Sequence, residues 1–314
     1  MDALSRVERL PWLSKDQHPA FVYLARLSPG SRRTMAQALD VVAKMVSPEF
    51  TAESLPWHLL RYQHAQALRT ALAERYAPAT ANKMLAALRG VLREAWRLGW
   101  TNAEDYQRAS DLASVRGETL PAGRHLSAGE LRALFVTCAE DPSAAGRRDA
   151  AILALFYGGG LRRSEVVSLN VGDFNPETGE LRIRTGKGRK ARIVYAANGA
   201  EDALKAWLDI YPSGPMFPRI RKGGRIVSRR MTAEGVYQML LRRGEEADVN
   251  HFSPHDLRRT FVSDLLDSTG DVSAVRALAG HARVETTLRY DRRGEAAKKK
   301  AAELIHVPFV RRKK

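Results

Sequence analysis

Apolar residues recur at spacings of three and four through most of the chain, which is the period of amphipathic helices. In the first 115 residues this pattern predicts three helices: 31–46 behind a cap at Ser31, a second opened by Pro56, and a third after Pro78. The apolar positions that define them are Met35, Leu39, Val42 and Val46, then Leu59, Leu60, Leu68 and Leu72, then Met84, Leu85, Leu88, Val91, Leu92 and Ala95. We therefore expect a small all-helical bundle at this end of the chain.

A change of pattern follows this bundle. Residues 114–124 have no periodicity and contain Gly117, Pro121 and Gly123, which is typical of an extended linker. Beyond it, Ser127 and Glu130 form a capping-box pattern, which predicts the start of a new helix. Further helical patterns cover 149–157, 200–209, 232–243, 254–267, 271–279 and 284–290, and the first of these ends at the glycines 158–160.

Strand signals are confined to one place. Residues 181–185 and 191–195 alternate between apolar and polar side chains and are separated by Gly-Lys-Gly-Arg-Lys, which predicts a β-hairpin with a basic tip. The fold class expected is therefore mainly α with a small β-sheet (α+β). We expect an N-terminal helical domain (1–115), a linker (116–124), a mixed C-terminal domain (125–306) and a basic tail (307–314).

The charge of the chain points to its class of partner. The 51 Lys and Arg against 35 Asp and Glu give +16, of which +4 falls before residue 121 and +12 after it. Such an excess indicates that the partner is a polyanion, either nucleic acid or, as the alternative, an acidic membrane surface. The predicted N-terminal helices carry cations on their polar faces that could follow a phosphate backbone or could simply be solvated, namely Arg32, Arg33, Lys83, Arg89 and Arg93.

Composition also bounds the compartment. With 44% hydrophobic and 27% charged residues the chain has globular composition, and no window approaches the roughly 18 apolar residues of a membrane span. Charged residues interrupt the N-terminus, so no signal-peptide core is visible there. The single Cys138 cannot form an internal disulfide. We expect a soluble, cytoplasmic protein.

Two short motifs carry candidate anion-binding residues. In 160–169, Arg162 follows a glycine turn and Glu165 lies three residues later, so that the carboxylate could orient the guanidinium or form an ordinary surface ion pair. In 253–258, Ser253 and Pro254 predict a helix start whose free N–H groups, with His255 and Arg258, could hold a phosphate.

A metal site is the rival interpretation of the second motif, since His251 and His255 have the i, i+4 spacing of zinc-binding helices. A helix that begins at Pro254 excludes His251, however, and no suitable third ligand is present. We expect no metal.

The remaining candidates lie at the hairpin tip and near the C-terminus. Lys187 or Lys190 could be solvated, enter a DNA groove, or protonate a leaving oxygen. Gly280 ends a predicted helix and is followed at once by His281, with Tyr290 nine residues later. A tyrosine can act as a nucleophile where cations stabilise negative charge, although it is more often an amphipathic boundary residue.

Taken in order, Gly-Leu-Arg162-x-x-Glu165, Gly-Lys187-Gly, His255-x-x-Arg258, Gly-His281 and Tyr290 resemble the catalytic set of the tyrosine recombinase, or phage integrase, family. The resemblance covers residues 125–306, whereas 1–115 is similar to the family's SAM-like core-binding domain only in pattern and position. Small departures are Gly159 for a common Thr, Ala279 inserted before Gly-His, and Arg259. None removes a catalytic group.

The resemblance implies a DNA clamp and a chemistry. Tyr290 would attack the scissile phosphate to give a 3′-phosphotyrosyl link, Arg162 and Arg258 would grip its oxygens, and His255 and His281 would donate hydrogen bonds or take the tyrosyl proton. Lys187, or alternatively Lys190, would be the general acid, and Glu165 would support Arg162. DNA contacts are expected from Arg33, Lys83, Arg89, Arg93 and Lys190.

The same resemblance implies partners. Double-stranded DNA with specific sites would be bound by a tetramer held together through the C-terminal tail, with no membrane and no cofactor, and the protein would be nucleoid-associated when bound. Segment 291–314 carries nine Lys or Arg against three acids, and Leu304, Ile305 and Val307 could be its apolar anchor. Integration, excision, transposition and resolution remain open, as do a type IB topoisomerase and a non-catalytic site-specific DNA-binding protein.

Overall fold

The structure is a computed structural model that describes residues 15–117, 123–184, 191–221, 223–291 and 308. The chain forms two compact units, one up to Ala122 and one from Gly123 onward. Within the described ranges, no helix combines the length and apolar character needed to cross a bilayer.

The described part of the first unit, 15–117, contains five α-helices where the sequence predicted three: α1 (Pro19–Ala25), α2 (Pro29–Val46), α3 (Tyr62–Arg75), α4 (Pro78–Arg97) and α5 (Ala103–Ser110). Their apolar stripes converge on one core, in which Trp57, Leu72 and Leu88 are almost completely buried. Helix α4 is central to this core because small and apolar residues line it on several sides. An all-helical bundle, as expected from the spacing, is confirmed.

Two sequence predictions in this unit were wrong in detail. The N-cap of α2 is Ser28, because Pro29 occupies the first helical position and places Ser31 inside the first turn. Pro56 does not open a long helix. It precedes a 3₁₀ turn, Trp57–Leu59, and the extended backbone of Leu60 separates that turn from α3.

The second unit contains α6 (Ala128–Glu140), α7 (Ala144–Tyr157), α8 (Arg163–Ser168), α9 (Gly199–Leu208), α10 (Ala233–Glu246), α11 (Pro254–Thr269), α12 (Val272–Ala279) and α13 (Val284–Leu288). The capping box of Ser127 and Glu130 at α6 is confirmed. Cys138 is buried on α6 as a small apolar residue.

Among the residues described in the second unit, the strands form two antiparallel hairpins. Strands β1 (Glu180–Ile183) and β2 (Arg192–Tyr195) form the predicted hairpin, whose tip, 185–190, lies outside the described residues. A second hairpin, β3 (Pro218–Ile220) with β4 (Ile226–Arg230), was missed. Its strands are short and, in β4, run into three polar residues, so no period-two pattern marks them.

Helix α11 has buried residues from Pro254 to Leu266. A small cluster of apolar residues joins α11 to α12 through Phe261, Leu266 and Val275, and Tyr290 packs against its edge. This packing brings the first turn of α11, the end of α12 and the residues after α13 to one place.

Candidate active site

Arg162 stands at a turn that glycine makes possible. Helix α7 ends at Tyr157, and Gly160 adopts a left-handed φ of +59° where a Cβ would overlap the ring of Phe261. Arg162 is then the N-cap of α8, and its backbone N–H donates to Oε2 of Glu165 at 2.8 Å. Its guanidinium donates from Nη1 to Oε1 of the same carboxylate, also at 2.8 Å.

Glu165 is a buried carboxylate held between two arginines. Besides Arg162, it receives a bidentate pair from Arg192, Nη1 to Oε1 at 2.7 Å and Nη2 to Oε2 at 2.9 Å. Burial alone would raise the pKa of Glu165, but the hydrogen bonds from Arg192 and from the Arg162 backbone outweigh it and lower the pKa to about 2. Glu165 is therefore charged at neutral pH.

Sequence reasoning missed Arg192. It lies on β2, 27 residues after Glu165, and only the tertiary pairing of β2 with this site brings the two together. An arginine among the apolar residues of a strand was the one available signal, and many surface strands contain such a residue.

Arg258 is buried in the first turns of α11. The helix begins at Pro254, with Ser253 as N-cap and Asp256 accepting from its backbone N–H and hydroxyl. The Arg258 guanidinium donates to the carbonyls of Gly160 and Ala279. Burial, followed by the positive charge of Arg162, lowers the pKa of Arg258 to about 9. Arg162 and Arg192 lie close enough to add to this effect of burial.

The last carbonyls of α12 fix three arginines at once. A helix leaves its final carbonyl groups without partners inside the helix, and they carry the negative end of its dipole. Here three consecutive carbonyls accept from three guanidiniums: Leu278 from Arg192 Nε, Ala279 from Arg258 Nη2, and Gly280 from Arg162 Nη2. Gly280 ends the helix with a left-handed φ of +63°.

Two imidazoles flank the phenol of Tyr290. The Tyr290 hydroxyl lies 3.2 Å from Nε2 of His255, and the ring of His281 stacks on that of Tyr290 at 6.0 Å between centroids. His281 Nδ1 lies 2.9 Å from Oγ1 of the buried Thr287.

Both imidazoles are biased toward the neutral form. Desolvation, followed by the charges of Arg258 and Arg162, lowers the pKa of His281 to about 4. Desolvation, with Arg258 as the next cause, also lowers the pKa of His255 below its ordinary 6.5. A neutral ring nitrogen beside a phenol can accept its proton.

The structure brings together Arg162, Glu165, His255, Arg258, His281 and Tyr290. Lys187 and Lys190 lie outside the described residues. His251 lies before α11, which begins at Pro254 as predicted, and its Nε2 lies 3.4 Å from the Tyr237 hydroxyl. Among the residues described, no three His, Cys, Asp or Glu side chains are grouped closely enough to hold a metal ion.

The other predicted phosphate contacts belong to the first unit. Arg33 is exposed on α2 and Lys83 is half-buried on α4. Arg89 donates to the carbonyl of Leu112, and Arg93 lies 3.7 Å from the buried carboxylate of Glu94. These last two side chains therefore have internal partners as well as exposed surface.

The site combines a phenol, a proton acceptor in contact with it, and an excess of fixed positive charge. Guanidiniums suit the oxygens of a phosphate group, and cations beside a phenol favour attack by its oxygen. Such an arrangement is suited to the attack of a side-chain nucleophile on a phosphate ester.

Comparison with known proteins identifies the family. Residues 124–296 match the model of the phage integrase family. Tyrosine recombinase XerC of Pelobacter propionicus is 34% identical over 262 residues, which cover 82% of each chain. That of Azotobacter vinelandii is 37% identical over 209 residues, covering 66% of this chain and 67% of the relative. The chain belongs to the phage integrase family of tyrosine recombinases and is a site-specific recombinase.

Solved structures agree on the fold. An integrase of transposon Tn1549 in complex with transposon right-end DNA superposes with a TM-score of 0.69 at 14% identity, over 93% of this chain and 99% of that one. A lambda integrase dimer bound to a COC′ core site gives a TM-score of 0.65 at 13% identity, over 89% and 94%. The expected α+β class is confirmed.

Proposed function

We propose that this protein cuts and rejoins DNA strands at specific sites through a covalent 3′-phosphotyrosyl intermediate on Tyr290. The observation that carries the proposal is the 3.2 Å contact between the Tyr290 hydroxyl and His255, beside the buried guanidinium of Arg258. The XerC relatives and the DNA-bound neighbours support DNA as the substrate.

The reaction follows from these groups. Oη of Tyr290 attacks the phosphorus and His255 takes the phenolic proton, so that a P–O bond to tyrosine forms as the P–O5′ bond breaks. The departing 5′ oxygen takes a proton from Lys187, or from Lys190. Arg162 and Arg258 stabilise the charge on the non-bridging oxygens, and Glu165 holds Arg162 in place.

Rejoining is the reverse of cleavage. A 5′ hydroxyl, from the same strand or another, attacks the phosphotyrosine and releases Tyr290. Because the tyrosyl ester keeps the phosphodiester bond energy, the chemistry needs neither ATP nor a metal cofactor. We infer that the energy source is the substrate itself.

Assembly is part of the proposal. We propose that the helical N-terminal unit acts as the core-binding domain and contacts phosphates through Arg33, Lys83, Arg89 and Arg93, which form part of its basic surface. Two DNA sites would be held by four protomers, joined by the C-terminal tail. The protein would work in the cytoplasm, on the nucleoid.

The test begins with the DNA site. Wild-type protein is incubated with fragmented genomic DNA from its source, denatured, and the covalently bound ends are sequenced. A nicked duplex with the mapped site, whose short released strand diffuses away, then accumulates a covalent adduct. We expect adduct with the wild type and none with Tyr290→Phe, and adduct from Tyr290→Phe would refute the nucleophile assignment.

A second assay separates the competing functions. Exchange of strands between two mapped sites supports the recombinase proposal. Relaxation of supercoils without exchange would favour a type IB topoisomerase, and specific binding without any adduct would favour a non-catalytic DNA-binding protein.

A further inference from the structure

Three residues on one face of α11 make polar or cation–π contacts with Tyr290. Its hydroxyl meets Nε2 of His255, its ring lies 5.4 Å from the guanidinium carbon of Arg259, and its backbone carbonyl accepts from Oγ of Ser263 at 3.3 Å. The three α11 residues are spaced by four, which places them on one helical face. Tyr290 therefore lies along α11 with three contacts of different kinds.

The guanidinium of Arg259 also binds the backbone of a second segment of the chain. Its Nη1 donates to the carbonyl of Gly123 at 2.7 Å, while its guanidinium faces the ring of Tyr290. Only 7% of Arg259 is exposed, and a buried cation is costly unless polar or aromatic groups compensate it. The placement of Arg259 is therefore tied to both Gly123 and Tyr290.

The segment 123–126, where the chain enters the second unit, has no regular structure and is held by α11. Besides the Gly123 carbonyl, Arg124 N–H donates to Asp256 Oδ1 at 2.8 Å and Leu126 N–H to Thr260 Oγ1 at 3.0 Å. His125 Nε2 lies 2.7 Å from Asp264 Oδ1. These α11 partners lie on the side of the helix that includes Arg259.

Gly123 holds its carbonyl in one orientation. Its φ of +94° is a conformation that glycine adopts without strain, and a Cβ there would overlap Oδ1 of Asp256. A substitution at this position would therefore move the carbonyl that Arg259 binds.

We propose that Arg259 is a positioning residue for Tyr290, and that it makes the reactivity of Tyr290 depend on the placement of segment 123–126. The inference rests on the proposed function, which makes Tyr290 the nucleophile. An attacking atom displaced by about 1 Å can cost about a hundredfold in rate. A displacement of the Gly123 carbonyl would shift the guanidinium and, with it, the ring that the guanidinium faces.

Single-turnover adduct formation on the mapped, nicked duplex tests the positioning role. We expect Arg259→Ala to slow adduct formation at least about tenfold, with the Kd for the duplex unchanged within about twofold. Arg259→Lys should have an intermediate rate, because lysine keeps the charge without the planar guanidinium. Asp264→Asn is the matched control, because it weakens the neighbouring contact between His125 and α11 but keeps the Gly123 carbonyl, Arg259 and Tyr290 in contact, and we expect at most about a twofold loss.

A modified substrate separates positioning from acid catalysis. A duplex with sulfur in place of the bridging 5′ oxygen has a leaving group that needs no proton. We expect the Arg259→Ala defect to persist on this duplex, since the nucleophile remains misplaced. Rescue by sulfur would instead assign Arg259 to the leaving group and overturn the proposal.

A double-mutant cycle tests the link to segment 123–126. Gly123→Ala should slow adduct formation in the wild-type background and have little further effect in Arg259→Ala, because both changes act by one route. Fully additive losses would overturn the link. A wild-type rate in Arg259→Ala, or an equal loss in Asp264→Asn, would overturn the positioning role.

Hydrogen exchange of the free protein supplies a readout without DNA. Amides of 284–291 should exchange faster in Arg259→Ala and Gly123→Ala than in the wild type or Asp264→Asn, and unchanged exchange would contradict the docking of Tyr290 by Arg259. If Tyr290 is not the nucleophile, Tyr290→Phe shows it in the adduct assay, while exchange still reports on the docking. Should Arg259→Ala fail to fold, Arg259→Lys and Gly123→Ala carry the same comparisons.

Discussion

Replacing Glu165 by glutamine tests whether one buried carboxylate holds two arginines in place. The side chain is 1% exposed and accepts four hydrogen bonds, two from Arg162 and two from Arg192. Glutamine removes the charge and turns an N–H₂ group toward donors. The pKa of Glu165, about 2 against an ordinary 4.5, corresponds to about 3 kcal/mol in favour of the charged form. Glu165→Gln should lose about that free energy of unfolding.

The pH dependence of this loss has a definite sign. A carboxyl group whose pKa is lowered by folding stabilises the protein above its unfolded pKa, and that contribution disappears as pH falls through 4.5 toward 2. Other carboxyl groups titrate equally in both proteins. The difference between wild type and Glu165→Gln should therefore be complete near neutrality and fall to less than half by about pH 3.

Calorimetric unfolding measures the effect. For a unit of this size about 3 kcal/mol corresponds to a fall in Tm of about 10 °C. Glu201→Gln is the matched control, because Glu201 is a partly exposed i, i+4 partner of Lys205 and should contribute at most about 0.5 kcal/mol. A Tm for Glu165→Gln within about 2 °C of the wild type, or a difference that is the same at both pH values, would refute the reasoning.

Two further predictions concern the turn and the proton acceptor. Gly160→Ala should lower the free energy of unfolding, measured by chemical denaturation, by at least about 1–2 kcal/mol, because the φ of Gly160 is +59° and a Cβ there would overlap Phe261. Gly172→Ala, at a position with open space around it, should be near neutral, and equal losses in the two variants would contradict this account. The kcat/KM for cleavage should stay constant as pH falls to 6.5 and decline only below that, because the lowered pKa of His255 keeps its ring neutral there. A kcat/KM that is already half-maximal at or above pH 6.5 would argue against His255 as the proton acceptor.

Local sequence signals predicted most of the helices. Pro78 with its apolar stripe, and the Ser127–Glu130 capping box, specify a helix and its start within a few residues, so α4 and α6 follow from the sequence. One error occurs where two local signals compete. Ser28 and Ser31 are both good caps, and the proline between them decides in favour of Ser28.

The candidate site was predictable only in part. Family motifs lead to Arg162, His255, Arg258, His281 and Tyr290, whose side chains the structure gathers. Motifs do not lead to Arg192 or to the contacts of Arg259, because these depend on which strand and which loop the fold places beside α8 and α11. Carbonyl acceptors such as that of Leu278 are invisible in sequence, since every residue has one.

The end of α12 has a consequence for how activity is lost. Because consecutive carbonyls at the end of this one short helix accept from Arg162, Arg192 and Arg258, unravelling its last turn would remove one hydrogen bond from each of three cations in a single step. In such a partly unfolded molecule Glu165 would still hold Arg162 and Arg192, and the Gly160 carbonyl would still hold Arg258, but every member of the charge cluster would be less firmly fixed. For a protein proposed to break DNA strands, we therefore expect local opening of α12 to weaken the grip of all three cations on a phosphate together instead of one at a time.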